Sequence, residues 1–314
     1  MEPLEERSLL HFWGPRYWFT WLVYAWMRTV VLLPFSWQLW LGRRLGQILH
    51  IVLYPRRYVA KQNIAACFPE LSDRERDALR RKHFEAIGIS VNEMSMVWFG
   101  SKKTVRDLIR VEGEEHLRDA LAKGKGVILF GAHFTTFEFF PAALHRLCPK
   151  VCAMYRIQRN EMMNVIMMRG RRRTFDELFQ KNSARAMVRS LAENSVVWYA
   201  ADQSYRRKYS ALVPFFGVPA MTNTATSRFA KASGATVLTY FGRRLPDDSG
   251  YVLNIGAPLE NFPTDDLVAD TTRLMKELET YVRQCPEQYC WIHKRFKGRP
   301  EPLPDLYKTQ TQSG

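Results

Sequence analysis

Val127-Ile128-Leu129-Phe130-Gly131-Ala132-His133-Phe134-Thr135-Thr136-Phe137-Glu138 decides how this chain is read. The apolar run Val127 to Phe130 reads as a buried strand. The residues from Thr135 to Leu147 read as the start of a helix. His133 then sits where the chain turns, at the mouth of the strand. Open α/β sheets place their chemistry at that edge.

The spacing of His133 and Glu138 has a physical meaning. Two residues five apart within one helix point about 140° away from each other, so they do not meet. With His133 in the turn and Glu138 in the first helical turn, they can. Glu138 is then expected to gain from the positive end of the helix dipole and to accept the Nδ1–H of His133. That contact fixes the tautomer and leaves Nε2 as a base. Pro141 fits this arrangement only where the helix begins late. The plainer reading is a hydrogen-bonded histidine at a strand end and a solvated glutamate. Four phenylalanines, Phe134, Phe137, Phe139 and Phe140, surround the pair in sequence. A carboxylate among them calls for a partner, because unpaired buried charge is costly.

Working outward, the 314 residues suffice for one large domain and a short appendage. Forty-six Lys and Arg against 31 Asp and Glu leave a net charge of +15. Such a surplus favours an anionic partner, whether nucleic acid, an acidic membrane leaflet, an acidic protein or a phosphorylated substrate. No helix-turn-helix, zinc finger or RNA-binding aromatic motif accompanies the charge, which disfavours nucleic acid. The five cysteines, Cys67, Cys148, Cys152, Cys285 and Cys290, lack zinc spacing and read as reduced cytosolic thiols with no metal. The absence of a G-x-S-x-G elbow disfavours an α/β serine hydrolase. Without a P-loop or G-x-G-x-x-G, nucleotide cofactors are not expected.

Tyr17 to Leu33 is nearly all apolar or aromatic, and five of the nine tryptophans fall between Trp18 and Trp40. Tryptophan concentrates at membrane–water interfaces. The stretch is at the short limit for spanning a bilayer and is expected to be a membrane helix, the alternative being a buried aromatic helix. Ser36 to Tyr54 looks amphipathic and suited to lie in the interface. Arg43, Arg44, Arg56, Arg57 and Lys61 follow, which places the bulk of the chain in the cytoplasm by the positive-inside rule. Residues 1–54 are thus expected to be a membrane-spanning or interfacial segment, 55–304 a cytoplasmic α/β domain, and 305–314 a polar, frayed tail.

Ser72-Asp73-Arg74-Glu75 is a capping box, starting a helix through Glu85 that extends toward Trp98 with a possible break at Gly88. Strands are expected at Val151 to Tyr155, Val196 to Ala200, Ala235 to Phe241 and Tyr251 to Ile255. Helices are expected at Asn182 to Glu193 and Leu267 to Val282. Alternation of this kind implies a mixed, mostly parallel sheet flanked by helices.

Further polar residues stand near the motif. Arg156, Arg159 and the run Arg169-Gly170-Arg171-Arg172-Arg173 read either as a phosphate clamp or as a solvated basic face. Asp202 ends a strand at the edge that carries His133 if the strands are parallel. There it orients an arginine or a substrate hydroxyl, or serves only the turn. Val213-Pro214-Phe215-Phe216-Gly217-Val218-Pro219-Ala220 reads as an apolar loop, either the wall of an acyl channel or a packed connection.

These residues resemble the late lipid A acyltransferases of Gram-negative bacteria. The resemblance covers almost the whole chain. It runs through Pro15-Arg16-Tyr17-Trp18, Asn63 to Ser72, the His133/Glu138 pair, Val197 to Asp202, Val213 to Phe216 and Pro286 to Lys297. H-x4-E alone is weak, since a wider superfamily of glycerolipid acyltransferases carries H-x4-D. The C-terminal block together with the others is specific. The resemblance implies an inner-membrane enzyme with its catalytic domain facing the cytoplasm and an acyl carrier protein thioester as donor. The implied acceptor is a 3-hydroxyacyl hydroxyl on the phosphorylated, Kdo-bearing lipid A precursor. His133 and Glu138 match the family's catalytic pair. Arg156, Arg171, Arg173 and Asp202 match recurrent polar positions, with an implied role in substrate binding. One departure, Gln203-Ser204-Tyr205-Arg206-Arg207 where relatives often carry an acid and a glycine, bears on acceptor detail or the preferred chain. The competing readings are a lysophosphatidic acid-type acyltransferase and a non-catalytic membrane lipid-binding protein.

Overall fold

The computed structural model describes residues 7–180 and 183–308. A seven-stranded sheet forms its centre, in the order β1-β9-β8-β2-β5-β3-β4. These strands are β1 (Ile109–Glu112), β2 (Val127–Gly131), β3 (Val151–Tyr155), β4 (Glu177–Gln180), β5 (Val196–Ala200), β8 (Thr236–Arg244) and β9 (Tyr251–Ile255). Two further strands, β6 (Ser210–Phe215) and β7 (Val218–Asn223), form a separate antiparallel hairpin. In the sheet every pairing is parallel except β8 with β9. The fold is therefore the expected mixed, mostly parallel sheet with helices on both faces.

β2 lies in the middle of the sheet, and all five of its residues are buried. Val127 and Leu129 join one core cluster, while Ile128 and Phe130 join the other. Alternation between two covered faces is why the strand reads as an unbroken apolar run. From β2 the chain goes through α7 (Pro141–Leu144) to β3 on one side of β5. From β5 it returns past β2, through the hairpin and α10 (Ala225–Ser233), to β8 on the other side. The carboxyl ends of β2 and β5 thus flank a topological switch point, where open sheets form their crevice.

The N-terminal half of the helical layer consists of α1 (Trp18–Val30), α2 (Phe35–Val52), α3 (Tyr54–Cys67) and α4 (Asp73–Phe99). Ser72 caps α4: its Oγ accepts from Glu75 N at 3.3 Å, and Glu75 Oε2 accepts from Ser72 N at 2.8 Å. The helix runs through Gly88 without a break. That glycine is a packing device, since a Cβ there would lie 2.1 Å from the Gly42 carbonyl oxygen on α2 and 2.3 Å from Gly46 N. Arg244 on β8 forms a buried ion pair with Glu93 on α4 at 2.5 Å, and Tyr251 donates to the same oxygen at 2.9 Å. Phe12, Tyr17 and Met27 enter the core cluster that holds Phe139 and Tyr251.

The expected membrane-spanning helix does not form. The apolar run breaks before Pro34, and α1 has 13 residues, a length of roughly 20 Å against the roughly 30 Å of a hydrocarbon core. Among the described residues no helix is long and apolar enough to cross a membrane. Two more expectations are corrected. Val213 to Ala220 is no loop but part of the β6–β7 hairpin, turned by Phe216 (φ 51°) and Gly217 (φ 73°). Positive φ at both central residues suits the twist of a two-residue hairpin, and Pro214 faces Pro219 across it. Tyr307 ties the start of the supposed tail to the body, donating to Asn63 Oδ1 at 2.5 Å and accepting from Phe296 N at 2.9 Å. Asn182, expected to open a helix, lies outside the described residues, and α9 spans Ala184–Ala192. The last helices, α8 (Glu161–Arg171) and α11 (Leu267–Gln284), flank the sheet with α5 (Lys102–Asp107) and α6 (Glu114–Ala122).

Candidate active site

The parallel register of β2 and β5 builds the site. Gly131 pairs with Ala200, so the residues two positions beyond each, His133 and Asp202, emerge side by side. Asp202 Oδ1 lies 2.6 Å from His133 Nδ1, and Asp202 Oδ2 accepts from the His133 backbone N–H at 3.1 Å. Tyr289 donates its hydroxyl to the same Oδ2 at 3.1 Å. A carboxylate can only accept here, so the proton sits on Nδ1 and the Nε2 lone pair is left for chemistry. Burial alone would raise the Asp202 pKa. The charge of His133, the two bonds from it and Arg295 nearby outweigh that and hold the carboxyl at about 2. Burial alone would lower the His133 pKa, but the charge and hydrogen bond of Asp202 lift it above 6.5.

Glu138 is buried beside this dyad but does not hold the imidazole. The residues after His133 form turns rather than a helix, and α7 begins only at Pro141. With no first helical turn to carry it back toward His133, Glu138 points to Arg171 at the end of α8. It accepts from both Nε, at 2.8 Å, and Nη2 of that guanidinium through one oxygen. Its other oxygen, Oε2, is buried without a partner. The expected His133–Glu138 hydrogen bond is replaced by His133–Asp202 and Glu138–Arg171.

Both pairs border a cleft of about 790 Å³. His133, 28 % exposed, and Arg171 line it, together with Arg156, Arg185 and Arg228. The aromatic wall includes Phe137 and Trp198, whose rings stack 5.6 Å apart at 12°. Of α9 and α10, Ala184, Arg185 and Val188, and Ala225, Arg228, Phe229 and Ala232, face the cleft. Spacings of three and four residues put each set on one helical face. Arg173 does not reach the cleft; its Nη2 donates to the Gly100 carbonyl at 2.7 Å, at the end of α4. The Val213–Ala220 segment does not wall the cleft either, and Val213, Phe215 and Ala220 are buried in the core.

The C-terminal block supports the dyad from behind. Cys290 N donates to His133 O at 3.0 Å, and Gln288 O accepts from Thr135 N at 2.7 Å. The Cys290 thiol is pushed up to about 12 by burial and by Asp202, so it carries no thiolate for nucleophilic attack. His293, near Asp202, is pushed down to about 4 by burial and stays neutral. Among the described residues no group of three or more histidine, cysteine, aspartate or glutamate side chains gathers as metal ligands would.

The chain matches the family described as bacterial lipid A biosynthesis acyltransferase over residues 6–298. It belongs to that family. The acyltransferase is 35 % identical over 306 residues to the Lipid A biosynthesis lauroyltransferase of Escherichia coli K12, covering 97 % of this chain and 99 % of the relative. Its identity to the palmitoleoyltransferase of the same organism is 36 % over 303 residues, 96 % of this chain and 97 % of the relative. With the E. coli myristoyltransferase it shares 25 % over 312 residues, 97 % and 96 % of the two chains. These three relatives are named for different acyl chains in lipid A biosynthesis. In the acyltransferase, sequence reasoning brought His133, Glu138, Arg156, Arg171 and Asp202 to the site. It missed Tyr289, Arg185, Arg228 and the Phe137–Trp198 stack. Tyr289 lay within the specific C-terminal block; the two arginines carried no local signal.

Proposed function

We propose that this acyltransferase moves a fatty acyl chain from an acyl carrier protein thioester to a 3-hydroxyacyl hydroxyl of the phosphorylated, Kdo-bearing lipid A precursor. The observation that carries this reading is the His133–Asp202 dyad opening onto a cleft bordered by Arg156, Arg171, Arg185 and Arg228. His133 Nε2 takes the proton of the acceptor hydroxyl as its oxygen attacks the thioester carbon. The tetrahedral intermediate collapses, the carbon–sulfur bond breaks, and the imidazolium returns the proton to the leaving thiolate. Asp202 holds the ring and stabilises its charged form. Glu138 acts one step removed, holding Arg171 so that its guanidinium meets the developing oxyanion. Arg156, Arg185 and Arg228 meet the acceptor's phosphates. The reaction needs no acyl-enzyme.

The same reading places the enzyme on the cytoplasmic face of the bacterial inner membrane, resting on it. Trp13, Trp18, Phe19 and Leu22 are exposed around α1, and Trp37, Trp40 and Ile51 on α2. An apolar, tryptophan-rich surface beside Arg28 and Arg44 fits an anionic lipid interface. Co-sedimentation with vesicles containing phosphatidylglycerol tests it. Trp18→Ser with Phe19→Ser is expected to release the protein, and unchanged binding would refute the placement.

Mass spectrometry of the tetra-acylated precursor, after incubation with a mixed pool of acyl carrier thioesters, tests the reaction. One acyl mass is gained, and His133→Ala abolishes the gain. Transfer to lysophosphatidic acid but not to the precursor would move the assignment to glycerolipids. Lipid binding without any transfer would make the protein a binder.

A further inference from the structure

Among the described residues no carboxylate lines the wide cleft, while four arginines do. A neutral group on the same wall gives that charge a direction. Tyr199 stands near the end of β5, in register with Phe130, and Asn223 ends β7. Both residues line the cleft, as does Arg228 on α10.

A chain of hydrogen bonds decides which way the Tyr199 hydroxyl points. At the start of α10, Asn223 Oδ1 accepts from the Ala225 backbone N–H at 3.0 Å. That bond fixes the amide, because only its oxygen can accept from an N–H. The Nδ2 end therefore meets Tyr199, and it donates to Oη at 2.9 Å. Oη is an acceptor on the Asn223 side, so its own proton is turned away from Asn223. Among the described residues no group accepts that proton. Burial pushes the phenol up to about 12, against the pull of the Asn223 bond, so the proton stays on. The ring is held too: it stands edge-on to Phe229, with centroids 5.4 Å apart at 90°. Arg228 lies over the Tyr209 ring at 3.9 Å, a contact that takes the face of the guanidinium and not its N–H edge.

We propose that Tyr199 and Arg228 form an anion subsite, in which the tyrosine hydroxyl donates to one phosphate or carboxylate oxygen of the acceptor and Asn223 keeps the hydroxyl in that sense. The proposal rests on the acyl-transfer reading above. Tyr199 precedes Asp202 by three residues, so their Cα atoms are at most about 11 Å apart. One stretch of chain thus carries both the subsite and the partner of the proposed base. Four arginines attract an anion from many directions, whereas one directed hydroxyl favours a single oxygen position. The anion held there is a fixed point from which one acceptor hydroxyl reaches His133 Nε2.

Two measurements test it together: binding of the lipid A precursor in detergent without donor, and transfer from one acyl carrier thioester read by product mass. Tyr199→Phe should weaken precursor binding roughly 10-fold, as loss of one hydrogen bond to a charged group does, and raise the precursor KM but not the thioester KM. Asn223→Asp keeps the bond to Ala225 but offers Tyr199 only an acceptor, so the phenol turns its proton inward. It should weaken binding at least as much, and its effect should shrink in a Tyr199→Phe background. Precursors lacking either phosphate or the Kdo carboxylates identify the anion, because the Tyr199→Phe penalty vanishes on the one without it. The proposal is overturned by unchanged binding in Tyr199→Phe, or by an Asn223→Asp effect equally large without the tyrosine hydroxyl. A penalty that survives removal of each anionic group in turn overturns it as well, as does a failure of the unmodified protein to bind the precursor. If the unmodified enzyme binds the precursor and transfers nothing, the acyl-transfer reading has failed, and the binding comparisons still decide the subsite.

Discussion

Two buried carboxylate–arginine pairs hold this molecule together, and they do different jobs. Glu93–Arg244 joins α4 to β8, with side chains 2 % and 7 % exposed, and Tyr251 adds a hydrogen bond. Glu138–Arg171 joins the turn after His133 to the end of α8, with 4 % and 13 % exposed. Each leaves one carboxylate oxygen without a partner. Arg244 is buried with Glu93 and Tyr251, while Arg171 borders an open cleft. Similar chemistry is therefore scaffolding in one place and a positioned cation in the other. What separates them is whether the arginine's far side meets protein or space for a substrate.

The largest effect expected is on the dyad that Glu138–Arg171 flanks. Asp202→Asn should lower kcat by roughly 10²–10⁴-fold, because an amide can favour the wrong imidazole tautomer. Its pH profile carries more. As the proposed general base His133 acts in its neutral form, so activity in the unmodified enzyme is expected to fall as pH drops through a His133 pKa above 6.5. Without the Asp202 charge, burial dominates and that limb should move to lower pH. A limb that stays in place would show that Asp202 does not govern the ring.

Next comes the contrast itself. Glu93→Ala leaves Arg244 buried and uncompensated, and should cost about 3–5 kcal/mol of stability in denaturant unfolding with turnover per folded molecule retained. Arg171→Ala leaves Glu138 buried and uncompensated in the same way, so its stability cost should be comparable, but it should also lose roughly 10²-fold or more in kcat/KM per folded molecule. Full kcat/KM in folded Arg171→Ala, or an equal loss in Glu93→Ala, would erase the distinction between scaffold and site.

A smaller effect is expected on stability against pH. The folded pKa of His133 lies above its unfolded value, so its contribution is complete below pH 6.5 and disappears as pH rises through the folded value. Asp202, held at about 2 against 3.8, contributes above pH 3.8 and loses that as pH falls toward 2. Unfolding titrations of Asp202→Asn should lack both slopes. The smallest effect is Arg173→Ala. Its lost bond to the Gly100 carbonyl should cost about 1 kcal/mol, with substrate KM unchanged. A raised KM would return Arg173 to substrate binding.

How much of this was legible in the sequence depended on how each element is buried. β2, β3 and β5 read as strands because both faces are covered, leaving continuous apolar runs. Asp202 belongs at the His133 edge if those strands are parallel, and the register of β2 with β5 meets that condition. β1 and β4 escaped notice as four-residue edge strands with exposed positions. The β6–β7 hairpin was hidden by Pro214 and Pro219, which argue against strands until they are seen facing each other. The choice between Glu138 and Asp202 as partner of His133 lay beyond local pattern. It turned on whether Thr135 to Phe140 coils into a helix; the stretch forms turns instead, with Phe134, Phe139 and Phe140 buried in the core and Phe137 at the cleft. The apolar N-terminus misled for a related reason. Its composition suits lipid, but a proline cut the helix short and its inner face found protein.

The three glycines at the α2–α4 crossing have a further consequence. Gly42, Gly46 and Gly88 bring the two backbones into direct contact, so α2 cannot rock on α4 without a collision of main chain on main chain. Arg43, bonded to Asp248 beyond β8 at 2.7 Å, pins the same helix to the sheet. Trp37 and Trp40 are thereby held at a fixed height and tilt relative to His133. The enzyme carries its own spacer, written into a helix crossing whose glycines lie outside the cleft.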